Sequence, residues 1–259
     1  MPVTLPLGSS RPSLTLLSAE PWRATMEFVS FQFNHFLRTI AGNSCDGKAG
    51  KPGDGHPVII FPGLGGDGSA VVPLRNHCNS LGYETIDWGS GYNTGSRDNL
   101  DAWIGELALH IDALTSRYDQ PATFIGWSLG GIYAREIAKL LAPRVRQVIT
   151  IGTPFNADTD LTNIGWMHRL ASGASADIAP AVSKRLRTPP PVPTTSIYSR
   201  SDGLVAWQTC VHAAPSHEVQ DIEIDGSHVG LGWNPAVLDI VANRLGQQPS
   251  NWQPYTMAA

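Results

Sequence analysis

Short apolar runs alternate with amphipathic stretches along most of this chain. Pro57-Val-Ile-Ile-Phe61 is continuously apolar over five residues, the pattern of a strand buried on both faces. Residues 83–88, 123–125, 145–151, 195–198 and 219–224 read as further strands. Between them lie helical patterns at 71–81, 100–118 and 132–141, the last stopped by Pro143. Within 100–118, Trp103, Leu107, Ile111 and Leu114 recur at helical spacing. Asn234 followed by Pro235 marks one more helix start. Strictly alternating strands and helices predict an α/β fold: a mostly parallel central sheet with helices on both faces.

Two stretches break this rhythm. Residues 21–40 form an amphipathic pattern in which Phe28, Phe31, Phe36 and Ile40 recur near helical spacing, with Val29, Phe33 and Leu37 beside them. The expectation is a helix packed on the main body through that apolar face; an interfacial helix meeting lipid is the alternative, weakened by the scarcity of flanking positive charge. A polar, Gly-rich linker over 42–55 follows, so the chain divides into an N-terminal helix and linker, 1–55, and a main domain, 56–259. Between Pro154 and Thr194 no strand pattern occurs, which predicts a small helical cap inserted at about 155–193.

Composition narrows the function classes. The 259 residues are 42% hydrophobic and 15% charged, enough to bury a large core. A net charge of -4 with scattered Lys and Arg gives no footprint for nucleic acid or an anionic membrane. Cys45, Cys78 and Cys210 are too few and too far apart for a disulfide framework or a structural zinc site; one disulfide with one free thiol stays open. Pro2, Pro6 and Pro12 interrupt the first residues, so no signal-peptide pattern is seen, and no run approaches the ~18 apolar residues of a membrane span. A soluble, cytoplasmic protein is the expectation.

Gly126-Trp-Ser-Leu-Gly130 matches the G-x-S-x-G turn, with an apolar strand entering and an apolar-periodic helix leaving. Such a turn lifts a serine hydroxyl clear of the backbone, and its glycines let strand and helix approach. Gly42-Asn-Ser44 and Gly173-Ala-Ser175 lack both the strand and the closing glycine. A serine needs a base, and of eight histidines His228 is best placed, in a loop directly after the last strand. His35, His77, His110, His168, His212 and His217 read as structural or surface groups, and His56 sits at the wrong end of its strand. Asp202, in the loop after 195–198, is the acid expected to orient the imidazole. Asp158 and Asp160 are its competitors, whereas Asp225 is more apt to shape its own turn. The glycine-rich Phe61-Pro-Gly-Leu-Gly-Gly66 supplies backbone donors for an oxyanion, assigned to the N–H groups of Leu64 and Leu129. As a phosphate cradle the loop lacks the required Lys-Ser/Thr ending and glycine spacing.

Taken together, these segments resemble the α/β-hydrolase superfamily, in particular its bacterial serine esterase and lipase branch, from about His56 to about Leu245. Pro62-Gly63-Leu64 stands where members often have His-Gly-x, which keeps the Leu64 donor. The resemblance implies an α/β-hydrolase fold and a serine esterase or lipase with Ser128, Asp202 and His228 as catalytic residues. No metal or organic cofactor is needed, and the partner is a small ester or lipid-like substrate. Trp127, Ile164, Trp166, Met167 and Leu170 are the expected substrate contacts; the last four could equally be ordinary core of the cap. Acyltransferase, amidase, lactonase and thioesterase chemistry would use the same residues, and a non-catalytic binding protein is the alternative of a different class.

Overall fold

Six strands make one sheet in the order β2-β1-β3-β4-β5-β6, and every neighbouring pair is parallel. They are β1 (Pro57–Phe61), β2 (Glu84–Asp87), β3 (Ala122–Trp127), β4 (Val145–Ile151), β5 (Thr194–Tyr198) and β6 (Val219–Glu223). The computed structural model describes residues 12–40, 53–96, 100–156, 180–214, 218–248 and 251–256, with side chains of the first helix as far as residue 33. The helices are α1 (Leu14–Ile40), α2 (Val72–Leu81), α3 (Leu100–Thr115), α4 (Leu129–Leu140), α5 (Pro180–Arg187) and α6 (Pro235–Leu245).

The inner strands β1, β3 and β4 are buried nearly end to end because both their faces are covered, whereas the edge strands β2 and β6 carry polar, partly exposed residues. In β1, Val58 and Ile60 face one core with Leu74 and Cys78 of α2 and Val237, Ile240 and Val241 of α6. Ile59 and Phe61 face the other, with Ile104, Leu107 and Ile111 of α3 and Tyr133 and Ile137 of α4. Period-two alternation thus sends successive side chains into different cores, and neither face has a polar side to reveal in the sequence. Cys78 and Cys210 are both free and buried, and burial pushes the Cys78 thiol up to about 12.

Four expectations change in detail. The sheet is wholly rather than mostly parallel across the described strands. Helix α4 begins at Leu129, three residues before 132, because Gly130 and Gly131 lie in its first turn instead of ahead of it. Helix α1 begins seven residues before 21: the Ser13 hydroxyl accepts from Leu16 N–H at 3.2 Å as an N-cap, and Pro21 sits inside the helix. Last, α1 packs on the body through Leu16, Ala19, Glu20, Arg23, Ala24, Glu27 and Phe31, with Phe28 edge-on to Trp233, so only part of its apolar stripe faces the body among the described side chains. Trp22, Met26, Val29 and Phe33 point away, Trp22 being 69% exposed and Phe33 58%. Among the described residues no helix is long and apolar enough to cross a membrane.

Of the stretch expected as a cap, residues 157–179 lie outside the described residues. Its two ends belong to the packed body. Phe155 is buried against the Arg135 guanidinium, 3.7 Å from its ring centroid, and α5 is tied by Arg185 to Glu136 of α4 and Asp101 of α3.

Backbones pack closely where β1, β3 and α4 meet. A Cβ on Gly130 would collide with the carbonyl oxygens of Phe61 and Pro62, which are backbone and cannot swing aside. We expect Gly130→Ala to destabilise the fold by about 1–3 kcal/mol in equilibrium denaturation. Unchanged stability would mean that this contact is looser than described.

Candidate functional site

The strand order reverses direction between β1 and β3, so the loops leaving their carboxyl ends diverge around a crevice. The loop after β1 and the turn after β3 face each other there: a Cβ on Gly63 would lie 3.2 Å from the Ser128 Cβ. Ser128 has φ +54° and ψ -124°, outside the ordinary regions for a residue with a side chain. Its N–H donates to Ile151 O at 2.8 Å, which pins the turn to the end of β4. Gly126 and Gly131 sit so close, backbone to backbone, that a Cβ on Gly126 would strike Gly131. The strain is held by packing on all sides.

Ser128 Oγ lies 3.0 Å from His228 Nε2, and His228 Nδ1 lies 2.6 Å from Asp202 Oδ2. All three side chains are buried. The second Asp202 oxygen, Oδ1, accepts from Leu204 N–H at 2.8 Å and Val205 N–H at 2.7 Å. The loop after β5 therefore locks the carboxylate, leaving Oδ2 to orient the ring. Burial would by itself push the His228 imidazolium down. The charge and hydrogen bond of Asp202 outweigh it, helped by Glu20, and the net direction is up. The rival acids Asp158 and Asp160 lie outside the described residues, and Asp225 is exposed, accepting from Ser201 Oγ and Arg23.

Leu129 is the first residue of α4, and a helix leaves such N–H groups without internal partners. The Pro62–Gly66 loop is held by Gly66 N–H to Gly63 O at 3.0 Å and by Asn93, which sequence reasoning missed. Buried Asn93 donates from Nδ2 to Pro62 O at 2.8 Å, while its backbone exchanges bonds with Gly65 N–H and Gly66 O. These bonds leave Leu64 N–H uncommitted among the described residues, beside the serine. No periodicity marks Asn93; the only hint is its place between Gly91 and Gly95.

The other expected residues fall into place unevenly. Trp127 is half-buried, and its Nε1 donates to His228 O at 3.3 Å, so the indole edge props the histidine loop. Ile164, Trp166, Met167 and Leu170 lie outside the described residues, as do His168 and His217; the His35 side chain does too. His56 is buried between Asp54 and Thr123 at the opposite end of the sheet, His77 contacts Leu238 O, and His212 pairs with Asp221.

A second group missed from sequence comes from α1. Buried Glu20 accepts from Gly203 N–H at 2.9 Å and Val229 N–H at 3.0 Å. Glu27 accepts from Ser227 N–H at 3.0 Å, and Arg23 donates to Ser201 O at 2.6 Å. Carboxylates on a helix normally read as its solvated side, so nothing in the pattern flagged them.

No family model matches the chain. Over 102 residues it is 29% identical to the pimeloyl-[acyl-carrier protein] methyl ester esterase of Shewanella woodyi, and 28% to that of Shewanella oneidensis. These matches cover 39% of this chain, which spans 37% and 36% of the two relatives' lengths. Among solved structures, Aspergillus fumigatus lipase B superposes with a TM-score of 0.58 at 16% identity, over 79% of this chain and 57% of that one. An α/β superfamily hydrolase from Oenococcus oeni gives 0.55 at 16% identity, over 75% and 94%. Est1E of Butyrivibrio proteoclasticus, solved with ferulic acid, gives 0.53 at 14% identity, over 77% and 89%.

The electrostatics can be read directly by NMR titration of His228. Its midpoint should lie above the ordinary imidazole value of about 6.5 and fall in Asp202→Asn, where burial is opposed only by the charge of Glu20. A wild-type midpoint below that value would contradict the coupling to Asp202.

Proposed function

The chain has the α/β-hydrolase fold, and we propose that it uses it as a serine hydrolase of carboxylic esters, with Ser128 as nucleophile, His228 as base and Asp202 as its orienting acid. One observation carries the reading: the unbroken line from Ser128 Oγ through both ring nitrogens to Asp202 Oδ2, at 3.0 and 2.6 Å. A buried serine hydroxyl aimed at a ring nitrogen whose partner nitrogen is held by a carboxylate has its proton acceptor already in place. The partial relatives named as esterases favour an ester over an amide as the bond cleaved.

The steps follow from these positions. His228 Nε2 takes the Ser128 proton as Oγ bonds to the acyl carbon, and the former carbonyl oxygen gathers charge between Leu64 and Leu129 N–H. The start of α4 adds its positive dipole end there. Collapse expels the alcohol oxygen, which takes the proton from Nε2. Water, deprotonated by His228, then adds to the acyl carbon. Collapse of this second adduct returns the proton to Ser128 Oγ and releases the carboxylic acid. Developing positive charge on the imidazole meets Asp202 at every proton transfer, which is the differential stabilisation that speeds the reaction.

A fluorophosphonate probe should label the wild-type chain once and Ser128→Ala not at all. On a p-nitrophenyl ester series, Ser128→Ala and His228→Ala should each lose about 10⁶ in kcat, and Asp202→Asn about 10⁴. An optimum along the series sizes the acyl site. Absence of label on folded wild-type protein would overturn the proposal and favour a binding protein built on the same fold.

A further inference from the structure

Helix α1 meets the body at two loops far away in sequence. Glu20 receives the N–H of Gly203 and of Val229, and these residues directly follow Asp202 and His228. One buried carboxylate therefore ties together the two loops that carry the acid and the base. Both approaches are so close that only glycine fits. A Cβ on Gly203 would lie 2.5 Å from Leu16 O and 2.8 Å from Glu20 Oε2, and one on Gly230 would strike Glu27 Oε2. Glu27, through Ser227 N–H and Oγ, and Arg23, through Ser201 and Asp225, add grips on the same loops.

We propose that Glu20 is a positioning residue for the reaction: its two oxygens set the spacing of the Asp202 and His228 loops, and its charge backs the imidazole as a second anion behind Asp202. The proposal rests on the serine-hydrolase reading. Geometry and charge both require a carboxylate here. Two converging N–H donors need two acceptor oxygens, whereas a glutamine would turn its amide hydrogens against one of them. No Lys or Arg pairs with Glu20 among the described residues; Arg23, on the same helix, goes to Glu27, Ser201 and Asp225. The charged and titratable groups facing it are Asp202 and His228 from the two loops, with Arg23 and Glu27 on its own helix. Burial, aided by Asp202, raises the Glu20 carboxyl, while the two N–H groups and His228 hold it down. Two anions left close together are relieved when the imidazole gains its proton, which happens in the transition state and not before it. Glu20 thus favours the transition state over the resting site.

The decisive variant is Glu20→Gln, isosteric and neutral. Expected is a loss of roughly 10- to 100-fold in kcat with KM unchanged, by analogy with the cost of removing an outer partner of a metal-bound histidine. With a negative charge gone, the acidic limb of kcat/KM should move to lower pH. Fluorophosphonate labelling should slow yet still reach one per chain. Arg23→Ala loosens the same helix without touching Glu20, so it should lower Tm without any downward shift of that limb. Glu20→Asp keeps the charge but is too short to reach both N–H groups; it should lose kcat with the limb in place, and it carries the test if Glu20→Gln does not fold. Wild-type kcat and an unmoved limb in Glu20→Gln, or wild-type kcat in Glu20→Asp, would overturn the positioning role whatever happens to Tm. Failure of the parent reading looks different: the wild-type chain then takes no label, and the role of Glu20 falls with it.

Discussion

Backbone crowding at Ser128 is the constraint on which the rest of this architecture hangs. The ends of β1 and β3 and the start of α4 meet within contact distance, and glycine at 126, 130 and 131 is what lets them. Ser128 accepts a positive φ because every direction of relaxation is occupied: Ile151 O holds its N–H, and Gly63 covers its Cβ. A strained residue persists only when its surroundings over-determine it. The two continuous cores on either side of the sheet supply that rigidity. They fix the strand ends, and the strand ends fix where each loop begins.

Around this point the polar groups follow one rule: a buried carboxylate is met by backbone N–H groups. Asp202 takes two such bonds and Glu20 two, while half-buried Glu27, which has Arg23 beside it, takes one together with a hydroxyl. An unpaired carboxylate in so dry a place would be costly, and N–H partners satisfy it without adding a cation that would weaken the imidazolium. Asn93 does the corresponding work for the loop after β1 with neutral groups.

How much of this could be read in the sequence depends on what kind of signal each part leaves. The inner strands were legible because burial on both faces makes them largely apolar, and β4 was placed to the residue. Ser128, Asp202 and His228 were legible as neighbours because each follows a strand in a parallel sheet, which brings their loops to one edge. Helix α1 was half legible. Its existence shows in the spacing of its aromatic residues, but its docking face does not, because that face works by hydrogen bonds and carries Glu20, Arg23 and Glu27. Periodicity reports apolar burial and is blind to a helix that buries charge. The helix starts at Leu14 and not at 21, because the turns ahead of Pro21 add little to the aromatic spacing and the proline is accepted within α1. Asn93 left no pattern, since a single side chain bracing a loop has no period.

The route from α1 to the reactive loops spans most of the chain, Gly203 standing 183 positions and Val229 209 positions after Glu20. A helix held by a few hydrogen bonds and a narrow apolar contact, with Trp22, Met26, Val29 and Phe33 turned outward, has far less to lose on detaching than a central strand. Segments of that kind open in local fluctuations well below the free energy of global unfolding. Heat should then silence the protein in two stages. On the serine-hydrolase proposal, turnover should fade first, as α1 lifts and the two loops drift apart, while the sheet and its circular dichroism persist to a higher temperature. For this fold the working limit would be set by the attachment of its first helix, and the melting point of the core would overstate it.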